Sequence, residues 1–164
     1  MKLVLIGMPG CGKTSIGRLV SEKLGFKFID LDEEIVKSAS RSINEIFAKL
    51  GEEHFRELET DALKKSLESD NAVISTGGGI VKLSRNVKAI KNMGGYTVFI
   101  DRPLRLIIGD IDTSERPLLK DGADRLKNLY AERYELYKAA ADTTAVNDGS
   151  IEDIVNKICG SIRR

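Results

Sequence analysis

Residues 2–6 (KLVLI) form an apolar run halted by Gly7, the pattern of a short strand covered on both faces. After a glycine-rich turn, apolar positions 16, 19, 20 and 24 recur at helical spacing, and Gly25 closes the run. Residues 26–29 predict a second strand. Residues 32–39 and 42–51 carry short helical patterns, and 52–68 a longer one. A third strand at 72–75 is cut off by Gly77, Gly78 and Gly79; a helical pattern over 82–95 ends in two glycines, and 96–100 predicts a fourth strand. Beyond Pro103 come a short helical turn and a polar stretch, 110–122. A long helix at 125–140, a fifth strand at 143–146 and an amphipathic helix at 150–162 complete the chain.

Short apolar strands alternating with helices imply a three-layer α/β fold, with a roughly five-stranded parallel sheet flanked by helices. No repeat or low-complexity segment divides the sequence, so residues 1–164 are expected to form one domain. Two insertions interrupt the alternation, at about 31–61 and 110–122. Insertions at such places commonly build substrate sites and lids.

Composition narrows the partners. Lys and Arg number 26 against 25 Asp and Glu, and the formal charge is +1. That balance argues against nucleic acid or an anionic membrane surface as the partner. No stretch approaches the roughly 20 apolar residues that span a bilayer. The apolar N-terminal run breaks at Gly7 without a cleavage site, so a signal peptide is not expected. Cys11 and Cys159 make no disulfide framework, which points to a reducing compartment and the cytoplasm. No long exposed apolar helix face asks for a partner, so a monomer is expected.

Residues 7–14 (GMPGCGKT) fit G-x-x-x-x-G-K-[ST] between a buried strand and an amphipathic helix, the context that gives the pattern meaning. Glycines let successive N–H groups turn inward on phosphate oxygens, and the helix start adds its positive end. Lys13 supplies a cation for the β- and γ-phosphates, and the Thr14 hydroxyl is placed for Mg²⁺. A nucleoside triphosphate site follows. A guanine-reading N/T-K-x-D segment is missing; Lys91 and Asn92 match it only in part and fall inside a helical pattern. The chain is too short for a motor or transporter, which leaves a small-molecule kinase.

Four features suit a polyhydroxylated acid as acceptor. Asp30 and Asp32 emerge where the second strand ends, at the carboxyl edge where open α/β sheets bind ligands. One can serve the Mg²⁺ hydration shell and the other an acceptor hydroxyl, although helix capping alone also explains them. Arg56 and Glu59 are helix neighbours; the pair could aim a guanidinium fork at a carboxylate or be a plain surface ion pair. Three glycines, Gly77 to Gly79, exceed what a turn needs and permit close backbone approach. Arg116 lies in the polar stretch and Arg133 on the long helix, where Tyr130, Tyr134 and Tyr137 are expected to pack. A mobile arginine closing over phosphates would exclude water.

These motifs resemble the shikimate kinase family from end to end. The resemblance rests on Gly10 to Thr14, Asp30 and Asp32, Gly51-Glu52 with Phe55-Arg56 and Glu59, and Gly77 to Gly79. It continues in Arg116-Pro117-Leu118-Leu119 and in Leu129-Tyr130 with Arg133 and Leu136-Tyr137. It implies a P-loop fold of the nucleoside-monophosphate-kinase type, with 31–61 as acceptor segment and 110–122 as lid. It implies ATP and Mg²⁺ as cofactors and phosphoryl transfer to the 3-hydroxyl of shikimate, a step of chorismate and aromatic amino-acid synthesis. Gly10, Cys11, Gly12, Lys13, Thr14 and Ser15 would cradle the nucleotide, with Arg116 closing on it. Lys13, Asp32 and Arg116 would be catalytic, Asp32 acting at the 3-hydroxyl. Asp32, Arg56, Arg133, Gly78 and Gly79 would hold shikimate, Glu59 would orient Arg56, and Thr14 and Asp30 would serve the metal. Two family arginines that contact adenine have no counterpart in residues 107–110 or 145–149.

Three readings remain open on the residues alone: this kinase, a gluconate or nucleoside-monophosphate kinase of the same fold, and a non-catalytic nucleotide-binding module. His54 is expected at the surface or in packing. Cys11 either fills the tight loop or, near a helix start, is reactive. No His, Cys or acid cluster has structural-metal spacing.

Overall fold

The computed structural model of the chain describes residues 1–112 and 119–162. The elements are β1 (Lys2–Ile6), α1 (Lys13–Leu24), β2 (Lys27–Asp30), α2 (Leu31–Ala39), α3 (Ile43–Ser66), β3 (Ala72–Ser75) and a 3-10 turn at Ile80–Lys82. They continue with α4 (Ser84–Asn92), β4 (Gly95–Asp101), α5 (Leu104–Asp112), α6 (Leu119–Ala140), β5 (Thr143–Val146) and α7 (Ile151–Ser161). Strand order is β2-β3-β1-β4-β5, and every pairing is parallel. The central strand, β1, sets Leu3 opposite Val73 on one side and Tyr96 on the other. Its last four residues are completely buried, which is why its apolar residues run without alternation.

The main core gathers Leu3, Leu5, Val73, Ile74, Phe99 and Ile100 with apolar faces of the surrounding helices. A smaller cluster of Ile35, Ile46 and Phe55 sits between α2 and α3, and Ala62 packs against both clusters. The segment between β2 and β3 therefore has a hydrophobic centre of its own, joined to the main core at Ala62, near the C-terminal end of α3.

Helix ends follow recognisable chemistry. Ser42 caps α3 with a full capping box: its hydroxyl accepts from Glu45 N–H at 3.2 Å, and Glu45 Oε2 accepts from Ser42 N–H at 2.9 Å. Asp30 caps α2 and Ser150 caps α7.

Several boundaries differ from the sequence pattern. The two helices expected at 42–51 and 52–68 are present as the two arms of α3, divided at Gly51, whose φ of 83° and ψ of 169° are not helical. The second strand begins one residue later than expected and ends at Asp30. The helix after Pro103 runs for nine residues, so α5 and α6 take up both ends of the polar stretch. Among the described residues, no helix is long and apolar enough to cross a membrane.

Candidate active site

In a parallel sheet all strands deliver their following loops to one edge. Here that edge receives the phosphate loop after β1, Asp30 and Asp32 after β2, the triple glycine after β3, Arg102 after β4 and Asn147 after β5.

The loop after β1 turns into α1 through Gly12, whose φ of 96° is one that a residue with a Cβ adopts only under strain. The first N–H groups of α1 have no partner within the helix, so they face an anion site with the helix dipole behind them. Lys13 Nζ bonds the carbonyl oxygens of Gly7 and Met8, each at 2.8 Å, and lies 3.6 Å from Cys11 Sγ. The ammonium is thus held at the rim of the cradle. Asn147 Nδ2 donates to Cys11 O at 3.1 Å, bracing the loop from the end of β5. Cys11 is fully buried, which favours the filling role over a reactive thiol.

Thr14 and Asp30 meet: Thr14 Oγ1 donates to Asp30 Oδ2 at 2.8 Å and lies 3.4 Å from Ser75 Oγ. The other carboxylate oxygen of Asp30 accepts the N–H groups of Asp32 and Glu33, at 3.0 and 3.4 Å. A donor set of oxygens alone fits magnesium, which keeps waters and shares phosphate oxygens. Among the described residues no group of three His, Cys, Asp or Glu could hold a metal ion.

Asp32 stands at the cleft, open to water at its tip and walled in by protein around it. That enclosure, with the neighbouring Asp30 charge, pushes its carboxyl above the ordinary value, against the pull of Lys13 and Arg56. Glu59 is completely buried. Burial raises its carboxyl, while the hydrogen bond and charge of Arg56 draw it back. Arg56 Nη1 donates to Glu59 Oε2 at 2.8 Å and Nη2 to Glu52 Oε1 at 3.3 Å, so two carboxylates fix the fork. Among the described residues Arg56 Nε and Glu59 Oε1 are buried without a hydrogen-bond partner.

The triple glycine is explained by space rather than by unusual dihedrals, since none of the three has a left-handed φ. A Cβ on Gly77 would lie 2.9 Å from Glu59 Oε1 and 3.4 Å from Asp32 Oδ1. One on Gly78 would lie 2.8 Å from the Pro9 ring, and one on Gly79 would overlap the Arg56 guanidinium. Each missing side chain admits one piece of the site. Arg133, on α6, is 7% exposed, and its Nε also has no hydrogen-bond partner among the described residues. Tyr137, one turn later, is fully buried and donates to Gly78 O. Tyr134 donates to Asp101 Oδ2 at 3.0 Å and stacks on Tyr130 at 4.7 Å. Packing is their main role, as expected, with a hydrogen bond added at two of the three.

Two cavities share the phosphate loop as a wall. One, of about 450 Å³, includes Lys13, Thr14, Asp30, Asp32 and Gly78. The other, of about 240 Å³, lies against Cys11, Ser15, Arg102, Asn147 and Ile151. Arg102 there donates to Asp110 Oδ2 at 3.0 Å and to Asn147 O at 3.5 Å, and its buried Nε has no hydrogen-bond partner among the described residues.

Residues 9–163 match the sequence pattern of the family described as Shikimate kinase. The chain belongs to the shikimate kinase family. The shikimate kinase of Clostridium botulinum (strain Alaska E43 / Type E3) is 50% identical over 157 residues, covering 96% of this chain and 94% of that protein. That of Aquifex aeolicus (strain VF5) is 42% identical over 165 residues, covering 99% and 96%. Among solved structures, a shikimate kinase from Acinetobacter baumannii in complex with shikimate superposes with a TM-score of 0.89 at 33% identity, covering 99% of this chain and 92% of that one. A gluconokinase from Sinorhizobium meliloti, at 18% identity and TM-score 0.62, shares the fold alone.

Within this family frame, the structure brings together Gly10, Gly12, Lys13, Thr14, Ser15, Asp30, Asp32 and Gly78 around the larger cavity. Arg56, Glu59 and Gly79 adjoin it through the glycine turn, and Arg133 through Tyr137. Arg116 and the rest of 113–118, the middle of the expected lid, lie outside the described residues. His54 is exposed and takes no part. The sequence reading did not single out Arg102, Asn147 or Ser75. Their signal was positional, since each stands at or just past the carboxyl end of a strand.

Proposed function

We propose that this chain transfers the γ-phosphoryl group of ATP to the 3-hydroxyl of shikimate, giving ADP and shikimate 3-phosphate on the route to chorismate and the aromatic amino acids. The observation that carries this reading is the pairing, across the glycine turn, of a carboxylate with a raised pKa, Asp32, and a guanidinium fork held by two carboxylates, Arg56. Shikimate has hydroxyls at one end and a carboxylate at the other, so it matches that polarity.

The first turn of α1 and Lys13 bind and orient the phosphates. Thr14 and Asp30 would hold the hydrated magnesium ion. When bound with the nucleotide, that ion supplies charge neutralisation on the phosphates. Asp32 accepts the proton of the 3-hydroxyl and aims its oxygen at the phosphorus. Arg56, Arg133 and the Gly78–Gly79 backbone hold the carboxylate and ring. Arg116 closes over ATP, 110–122 acts as the lid and 31–61 as the acceptor segment of a single domain. The smaller cavity takes the base, with the flat guanidinium of Arg102 as one face. We place the protein in the cytoplasm as a monomer. Positioning and charge neutralisation are what phosphoryl transfer chiefly requires.

The test is ADP release with ATP and Mg²⁺, comparing shikimate, gluconate, AMP and no acceptor. Release that depends on shikimate is expected. Release with gluconate or AMP instead would overturn the acceptor, and no release beside measurable nucleotide binding would leave a binding module.

A further inference from the structure

Three successive glycines make a poor tool for holding an anion unless something fixes their peptide planes. Each glycine populates a wide range of φ and ψ, so a peptide between two of them turns over easily. In one orientation it offers an N–H to the cleft, and in the other a carbonyl oxygen that repels a carboxylate. Among the described residues no backbone carbonyl takes the N–H of Gly77, Gly78 or Gly79, so these donors are left for a ligand or water.

The peptide between Gly78 and Gly79 is held from behind. Its carbonyl belongs to Gly78 and accepts the hydroxyl of Tyr137. Its N–H belongs to Gly79, the residue whose missing side chain makes room for the Arg56 guanidinium. A trans peptide is planar and its C=O and N–H point in opposite directions, so fixing one fixes the other. Tyr137 is itself immobile. It has no exposed surface, and its ring stacks on Phe99 with centroids 5.2 Å apart and planes 25° from parallel. The Arg133 guanidinium, one helical turn earlier, faces the same phenolic oxygen.

We infer that Tyr137 is a positioning residue for the acceptor: its hydroxyl holds the Gly78–Gly79 peptide so that the Gly79 N–H stays turned toward the acceptor carboxylate beside Arg56 and Arg133. The inference rests on the shikimate reading of this cleft. One hydroxyl on α6 thereby aligns a donor on the glycine turn with the arginine of its own helix.

Tyr137→Phe removes the hydroxyl and keeps the ring against Phe99. About a tenfold rise in the KM for shikimate is expected, the scale of one lost hydrogen bond, with kcat and the KM for ATP within about twofold of the parent. Phe99→Leu is the packing control: it removes the ring stack and keeps the hydroxyl, and is expected to lower the melting temperature more than Tyr137→Phe does while raising the shikimate KM less. In the substrate-free protein, hydrogen exchange of the Gly79 amide, followed by NMR, is expected to quicken in Tyr137→Phe. An unchanged shikimate KM, an equal rise in both KM values, or an unaltered Gly79 exchange rate overturns the inference. Should the parent protein fail to phosphorylate shikimate, the functional reading falls, and the amide exchange, which needs no substrate, still decides the clamp.

Discussion

Asp32 sits among opposed influences, with enclosure and Asp30 raising its carboxyl and Lys13 and Arg56 lowering it. Only the ionised form can accept a proton, so the rate must fall as pH drops through this raised value. Replacing Asp30 with Asn keeps an oxygen to cap α2 but removes the repulsive charge. The acid limb of kcat/KM for shikimate is then expected to move to lower pH, even as the rate itself drops. A limb that stays in place would assign it to another group. Asp32→Asn is expected to cost about 10²–10⁴ in kcat, the usual range for a lost general base, with ADP affinity measured by calorimetry unchanged. Gly79→Ala makes a sharper test of geometry. Its methyl group has room only where the Arg56 guanidinium lies, so the shikimate KM should rise by about an order of magnitude or more while the ATP KM stays put.

At the scale of elements, α3 shows how much one glycine decides. A glycine after a helical run normally signals a C-terminus, and by that rule Gly51 divides the segment in two. The backbone does leave the helix there, at a φ of 83° and ψ of 169° open almost only to glycine, and a second helical arm runs on to Ser66. The kink separates Phe47 and Ile46 on one arm from Phe55, Arg56 and Glu59 on the other. Gly51→Ala is expected to destabilise the fold by about 1–3 kcal/mol, read by thermal or urea unfolding, and to raise the shikimate KM as Arg56 shifts. The sequence made the strands legible because each is a local run of apolar residues, such as 2–6 and 72–75. The phosphate loop, residues 7–14, is local in the same way. The triple glycine was recognised as a place of close approach, but not as clearance for Glu59, Pro9 and Arg56, because those contacts join residues far apart in sequence.

For the molecule as a whole, what the sequence withheld was strand order and everything that follows from it. Arg102 and Asn147 are 45 residues apart and meet only because β5 pairs with β4, and no local pattern carries that pairing. The second cavity, on the far side of the phosphate loop from Asp32, is built from this meeting. Arg102→Ala is expected to raise the KM for ATP by about tenfold, the scale of a stacked base, and to leave binding of inorganic tripolyphosphate and the shikimate KM unchanged. Equal weakening of tripolyphosphate would mean that Arg102 acts as a general charge and not as a platform for the base.

The position of β3 has a consequence for how the enzyme comes into being. It occupies the slot between β1 and β2, in register with both through Ala72. During synthesis, the first 70 residues therefore emerge with two strands that have no common neighbour and with Thr14 and Asp30 lacking the scaffold that unites them. The stretch that bears the nucleotide motif is complete early, yet it stays an unsupported loop until a four-residue strand arrives to zip the halves together. Loop closure of this length is the slow, costly part of building a parallel sheet. The nascent protein thus passes through a stage in which the signature of a kinase is already translated while no phosphate site exists.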